Sequence, residues 1–420
     1  LLRWPAYMIL AHGEIGSNTD GQSNAAKAGC TRLRECGLVR IGIITILKVG
    51  NCGAELQAYA LQRELALLGF EAEIIDYLHY KHPDFVRTRR ARPLVKIGMS
   101  NRLKERFLPW VERVCRMVQG KNGEAVRRSE RFHRTHTRLS SRTYCSVDAL
   151  YEADHPYDVF MVGSDQVWNP RTNVSLEPYF LTFAPRGKKT ISYASSFGVS
   201  SIPRHAEPLY VEWLKRIQYL SVREEQGVRI IRQLTGRTAE HVLDPTLLLA
   251  ADEWRQISVA PKIEAPYVLL YDVVRSPYAV DLAKHIAALR GWSIVRISGG
   301  ARTTRAGVID VPDAGPAEFI GLLAQAAFVV TNSFHGTAFS VTFRKPFFTV
   351  VPQGKSNTSR LHSFLKSVSL DDRLVPEGTQ FPAGDSLALD FSEAQARLEC
   401  LRAKSIAFLQ KSLTDPVGFP

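Results

Sequence analysis

The chain has 420 residues and a mass of 47.0 kDa, with 45% hydrophobic and 23% charged residues. Such a composition buries sizeable cores, which excludes a disordered or collagen-like protein, and the length suits two domains. Charge is more specific, because residues 81–142 hold 18 Lys and Arg against 5 Asp and Glu, an excess of 13 that equals the formal net charge of the whole chain. One surface therefore faces something anionic, with phospholipid, nucleic acid or a phosphorylated carrier as the partner classes, beside the plainer reading of a solvated helical face. Six cysteines without a C-x-x-C pair fit reduced thiols and a cytoplasmic location. No apolar run approaches the roughly 20 residues that span a bilayer.

Residues 1–37, with the Gly, Ser and Asn of GEIGSNTDGQSN, read as a flexible extension. From Arg40 the pattern changes to an apolar run IGIITIL (41–47), a loop, a helical stretch and a second run EAEIIDY (71–77). Leu56, Tyr59, Ala60, Leu67 and Leu68 recur at helical spacing and Gly69 stands where a helix ends, so this is a βαβ unit. In the basic tract, Leu103, Phe107, Val111, Val114 and Val118 repeat in the same way around Pro109, which predicts a helical insertion at about 81–142. Phe107, Trp110 and Phe132 read as core anchors, and nucleic acid is disfavoured.

Strands resume at YDVFMVG (157–163), KTISYAS (189–195) and QYLSV (218–222), so 38–256 forms a Rossmann-like parallel-sheet domain. The polar stretch ISVAPKIEAP (257–266) is the linker. Runs at 267–273, 292–298, 328–332 and 346–351 repeat the architecture over 265–390. Phe391, Leu398, Leu401 and Phe408 mark a C-terminal helix, so 391–420 is expected to pack back across the domain boundary. The fold class is α/β.

Ligands of open parallel sheets bind beyond the carboxyl ends of the strands, and three turns stand there. In TNSFHGTAFSVTF (331–343), His335 falls at a strand-to-helix turn, Gly336 permits close approach of backbone to a ligand, and Asn332, Ser333 or Thr337 can cap the helix. A helix N-terminus disfavours imidazolium, but a bound multivalent anion favours it, so the ligand can arm His335 as an acid. The same pattern fits a histidine that only caps a helix. In YLSVREEQG (219–227), Ser221 and Glu224 read as a capping box that puts Arg223 in the first helical turn, where a cation opposes the macrodipole unless it answers an anion or pairs with a neighbouring Glu. In YDVFMVGSDQVWNP (157–170), Asp165 and Gln166 are placed to meet hydroxyls and Trp168 to offer a face to a sugar ring, although ordinary turn chemistry uses the same residues.

GNCG (50–53) lacks the full dinucleotide pattern, His79/His82 and His133/His136 lack partners at zinc spacing, and neither a G-x-S-x-G elbow nor a Walker sequence occurs. No metal is implied.

The ordered blocks NCGAELQAYAL (51–61), VGSDQVWNP (162–170), SYASSFG (192–198), SVREEQG (221–227), DPTLLL (244–249), NSFHGTAFSVTFRKPF (332–347) and KSNTSRLHSFL (355–365) resemble the polysaccharide pyruvyl transferase family, from about Ile41 to about Arg373. That resemblance implies two Rossmann-like domains facing a cleft in a GT-B-like manner. It implies transfer of pyruvate from phosphoenolpyruvate to a saccharide of an exopolysaccharide or cell-surface glycan precursor as a ketal, with release of phosphate. No cofactor is called for, since phosphoenolpyruvate enters as co-substrate.

The catalytic candidates are His335, Arg223 and Asp165. Donor binding falls to Arg223, Ser333, Phe334, His335, Gly336, Lys355 and Arg360, and acceptor binding to Asn51, Gln166, Trp168 and Asn169. Ser333 stands where some branches of the family have arginine, so either Arg223, Lys355 and Arg360 complete the anion site or donor binding is weakened. A lipid-linked acceptor and an anionic membrane surface met by 81–142 are the further partners implied, at the inner face of the plasma membrane. The rival functions are a nucleotide-sugar-dependent GT-B-type glycosyltransferase and a non-catalytic glycan-binding protein.

Overall fold

The computed structural model describes residues 39–88, 122–171, 175–264, 266–297, 307–352 and 359–416. The first sheet is built from β1 (Arg40–Ile44), β2 (Glu71–Tyr77), β3 (Leu139–Tyr144), β4 (Val159–Val162) and β5 (Lys189–Ser192), all parallel, in the order β3-β2-β1-β4-β5. A short parallel pair, β6 (Ser221–Val222) and β7 (Glu240–His241), continues it through bridges from Ile191 to Tyr219 and from Ser195 to Val222. The second sheet holds β8 (Tyr267–Tyr271), β9 (Ser293–Ile297), β10 (Val308–Val311), β11 (Phe328–Thr331), β12 (Phe347–Val351) and β13 (Leu374–Pro376), again parallel, in the order β10-β9-β8-β11-β12-β13.

Counted within each half, the two sheets share the Rossmann order 3-2-1-4-5, and the second adds a sixth strand. The strand order reverses between β1 and β4 in one half and between β8 and β11 in the other. Every residue of β4, β5, β8, β11 and β12 is buried, as expected of parallel strands covered by helices on both faces.

Helix α1 (Cys52–Leu67) links β1 to β2, starts at Asn51, whose side chain caps Gly53 N at 2.9 Å, and is buried on nearly every side. It lies against the second half as well as its own sheet. Tyr59 of α1 packs on Trp254 of a short helix α6 (Ala251–Gln256) at 5.7 Å between ring centroids, and Trp254 packs edge-on against Phe339 of the second half at 4.9 Å. One apolar core thus runs through both halves.

Between α1 and α6 the chain forms α2 (Asn122–His136), α3 (Val147–Tyr151), α4 (Glu207–Lys215) and α5 (Glu225–Thr235). After the linker come α7 (Pro277–Arg290), α8 (Pro316–Gln325), α9 (Phe334–Thr342), α10 (Ser359–Ser367) and α11 (Ser392–Thr414). The 23-residue α11 begins on the second half, where Gln395 Nε2 donates to Val341 O at 2.8 Å. It ends on the first, where Lys189 Nζ donates to Leu413 O at 2.8 Å and Asp415 O at 2.6 Å.

The basic tract is not wholly helical. Its described end contains α2 and then β3, an edge strand, so 139–142 belong to the sheet. LSSRTY reads as polar because an edge strand needs to bury little, and its charge discourages pairing with another chain. The expected extension 1–37 and the stripe from Leu103 to Val118 lie outside the described residues. Among the described residues no helix is long and apolar enough to cross a membrane.

Candidate active site

The candidate residues converge where the two switch points face each other. Beyond β4 the chain turns sharply at Asp165, whose φ of 73° is one of the few left-handed values at a non-glycine residue. Aspartate tolerates this conformation because its short side chain bonds locally, here accepting from Gln166 N at 2.8 Å. The same oxygen, Oδ1, accepts from Arg223 Nη2 at 3.1 Å.

Arg223 does not lie in a helical turn. Ser221 and Val222 are held extended by pairing with β7, Glu224 is the extended N-cap residue, and α5 starts at Glu225. The Ser221 hydroxyl bonds Ser192 O at 2.7 Å and Ala194 N at 3.2 Å, so the expected capping box does not form. Arg223 therefore does not oppose the helix macrodipole from within the first turn of α5. Instead the guanidinium, fully buried, donates from Nη1 to Asp244 Oδ2 at 2.8 Å and sits 4.9 Å from the Phe334 ring centroid.

From the second half, His335 is the second residue of α9, after the N-cap Ser333. Its Nε2 lies 3.9 Å from Asp244 Oδ2, so one carboxylate stands between guanidinium and imidazole. The ring is seated by Gly53 of α1, where any Cβ would collide with Nδ1. Gly336 serves packing rather than ligand approach, since a Cβ there would meet Thr331 Oγ1 at 2.5 Å. Neither Asn332 nor Ser333 caps α9 with its side chain: Asn332 Oδ1 accepts from Val273 N at 2.9 Å, and Thr337 Oγ1 donates back to Ser333 O at 3.0 Å.

Arg360 of α10 reaches the same place. The Gln166 carboxamide accepts from Asn169 Nδ2 at 2.7 Å or, turned over, from Arg360 Nη2 at 2.8 Å and Nη1 at 3.2 Å. Gly198, at φ +63°, lies so close that a Cβ would strike the Gln166 side chain. Asn169 Oδ1 accepts from Arg171 N at 2.9 Å. Lys355 lies outside the described residues.

Trp168 does not face the site, contrary to the expectation from sequence. Its indole is fully buried, stacked on Phe180 at 5.1 Å and donating from Nε1 to Tyr179 O at 2.8 Å, so it anchors the core and offers no face to a sugar. A large apolar ring gains more from burial than from a shallow surface site.

Three residues escaped the sequence reading of the site. Asp244 caps the 3-10 turn Pro245–Leu247, accepting at Oδ1 from Thr246 N at 3.0 Å and Thr246 Oγ1 at 2.7 Å, and at Oδ2 from Ser164 Oγ at 2.7 Å. Glu224 accepts at Oε1 from Ser196 Oγ at 2.8 Å and Phe197 N at 3.2 Å. Ser164 completes the set. The Asp-Pro step was a turn signal, but nothing local links position 244 to 164 or 335.

The electrostatics follow from this packing. Burial lowers the His335 pKa below its ordinary value, with Asp244 and Asp165 only partly opposing. Burial would raise Asp244, but His335, Arg223 and the Ser164 and Thr246 hydrogen bonds outweigh it and hold the carboxyl at about 2. Asp165 is likewise held down, by Arg223, His335 and Arg360 against burial. Burial, then the nearby Arg223, lowers Arg360 to about 10. Among the described residues four buried polar atoms here have no hydrogen-bond partner, namely Arg223 Nε, Arg360 Nε, His335 Nε2 and Glu224 Oε2. Among the described residues no group of three His, Cys, Asp or Glu side chains could hold a metal ion.

Two Rossmann-like halves that pool ionisable side chains at facing switch points make a GT-B-like α/β fold. The chain belongs to the polysaccharide pyruvyl transferase family, whose model matches residues 51–354. Among solved structures it is similar to the UDP-GlcNAc 2-epimerase from Methanocaldococcus jannaschii, at 11% identity and a TM-score of 0.42 over 86% of this chain and 92% of that one. It is also similar to a putative UDP-N-acetylglucosamine 2-epimerase from Listeria monocytogenes, at 9% identity and 0.45 over 89% and 91%. An alpha-glucosyltransferase in complex with UDP and a 13-mer DNA matches at 10% identity and 0.43 over 89% and 95%. No curated protein matches the sequence.

Proposed function

We propose that the protein transfers pyruvate from phosphoenolpyruvate to two hydroxyls of one sugar, as a ketal, in the assembly of an exopolysaccharide or another cell-surface glycan. The observation that carries this reading is the set of four unpartnered polar atoms around Asp165 and Asp244: two guanidinium N–H groups, an imidazole nitrogen and a carboxylate oxygen, all buried. An unpaired buried donor or acceptor costs about 1–3 kcal/mol, more when charged, so a ligand with anionic groups and hydroxyls has waiting partners.

Arg223 is already shared by Asp165 and Asp244, whereas among the described residues no carboxylate lies within 4.0 Å of Arg360. Arg360 therefore carries the spare positive charge for the donor phosphate or carboxylate, and Arg223 adds its Nε. Two guanidiniums face three carboxylates, Asp165, Asp244 and Glu224, so a multiply charged donor enters best with a proton on His335. That proton then goes to the enol carbon, which makes C2 electrophilic, and Asp165 orients an acceptor hydroxyl toward it.

A lipid-linked acceptor agrees with the charge of 81–142, since each Lys or Arg near an anionic membrane contributes on the order of 1 kcal/mol. The test is to incubate the purified chain with phosphoenolpyruvate and lipid-linked glycans, with nucleotide sugars as the parallel arm. Phosphate release together with a pyruvate ketal by mass is expected. Glycosyl transfer from a nucleotide sugar without phosphoenolpyruvate consumption would overturn the reading.

A further inference from the structure

Glu224 is the carboxylate this chemistry has not yet used. Asp244 is saturated, with both oxygens taken by Thr246, Ser164 and Arg223. Glu224 is half committed. Its Oε1 is fixed by Ser196 Oγ and Phe197 N, while among the described residues the buried Oε2 makes no hydrogen bond and stands 3.9 Å from Arg223 Nε, itself without a partner there. That separation is too long for a direct bond and leaves both groups for a third atom.

The loop that orients Glu224 also shapes the hydroxyl-facing side of the site. Ser196 N donates to Asp165 O at 2.9 Å, Gly198 N donates to Ser196 Oγ at 3.2 Å, and Gly198 packs on Gln166. Asp165, Gln166 and Glu224 are thereby held by one short segment.

We propose that Glu224 is a catalytic residue for acceptor activation, its Oε2 taking the proton of one of the two sugar hydroxyls that enter the ketal. The inference rests on the pyruvyl-transfer reading above. Ketal formation makes two C–O bonds at C2, breaks the bond from C2 to the phosphate oxygen, and removes two O–H protons. In the first half, His335 gives its proton to C3, the first hydroxyl oxygen bonds to C2, and that hydroxyl's proton passes to Asp165. In the second, the C2–O bond breaks with its electron pair leaving on phosphate, the second hydroxyl oxygen bonds to C2, and its proton passes to Glu224. One of the two collected protons restores His335 and the other departs with phosphate. A carboxylate is base enough, because the attacking oxygen becomes positively charged as it bonds to an electron-poor carbon.

The experiment compares the full-length wild type with Glu224→Gln and Glu224→Asp, measuring kcat, the KM for phosphoenolpyruvate, the pH profile of kcat and the urea midpoint. The expected result for Glu224→Gln is a fall in kcat of about 10²–10⁴-fold, loss of the acid limb of the profile and a KM for phosphoenolpyruvate within about threefold of wild type, with partial rescue by Glu224→Asp. A Glu224→Gln enzyme with kcat near wild type would overturn the proposal. So would one whose lost activity follows a lowered urea midpoint while the pH profile stays unchanged, because that marks a structural partner of Arg223. A wild type that never consumes phosphoenolpyruvate overturns the underlying function as well, which separates the two failures.

Discussion

Gly53 and His335 belong to different halves of the molecule, yet a single added carbon on Gly53 would displace the histidine ring. The first turn of α1 is thus the seat of an imidazole supplied from the other sheet. Gly53→Ala is expected to lower kcat at least tenfold, about 1.4 kcal/mol of transition-state stabilisation, with the apolar core intact. Steady-state kinetics beside a thermal melt check this, and an unchanged kcat would refute the seating role.

Asp244 binds the fully buried Arg223 at 2.8 Å. Asp165 still faces Arg223 at 3.1 Å, so removing Asp244 takes away only part of a compensation whose complete loss costs about 3–5 kcal/mol, which leaves a cost of about 1–3 kcal/mol. Urea unfolding of Asp244→Asn should show a loss of that size, while Asp244→Glu, which retains the charge, should lose less.

Protonation links donor binding to pH. Burial lowers the His335 pKa from its ordinary 6.5, and under the proposed reaction a bound dianion would reverse that shift, so the donor complex should take up a proton. Affinity for phosphoenolpyruvate should therefore rise as pH falls from 8 toward 6.5. Calorimetry in buffers of differing ionisation enthalpy reads the proton directly, and His335→Gln should abolish the uptake attributed to this site.

His79 bears on stability rather than binding. Burial, reinforced by Lys81, lowers its pKa from 6.5 to about 3. The unfolded chain then binds the proton first, so stability is full above 6.5 and is lost as pH drops from 6.5 toward 3, by up to about 1.4 kcal/mol per pH unit. Replacing His79 with Gln should flatten the slope of unfolding free energy against pH in that window.

Trp168→Leu tests the core assignment. Loss of a fully buried indole stacked on Phe180 should cost on the order of 3 kcal/mol in urea unfolding. The KM for the saccharide should not change. A raised KM with stability intact would restore the indole as a sugar platform.

The alternation of apolar runs with helical stretches determined the two parallel-sheet halves by itself, because each strand covered on both faces must be written as a continuous apolar word and each helix as a periodic one. It also marked Asp165, Arg223 and His335 as candidates, since residues placed beyond strand ends of such sheets are the ones a ligand can meet. Only the tertiary structure decided what those residues do to one another. That Asp244 stands between Arg223 and His335, that Glu224 has one oxygen fixed by Ser196, and that Trp168 turns into the core depend on contacts between residues 11 to 91 positions apart. Local spacing carries no record of such contacts, because they are fixed by how two independently legible halves close on each other.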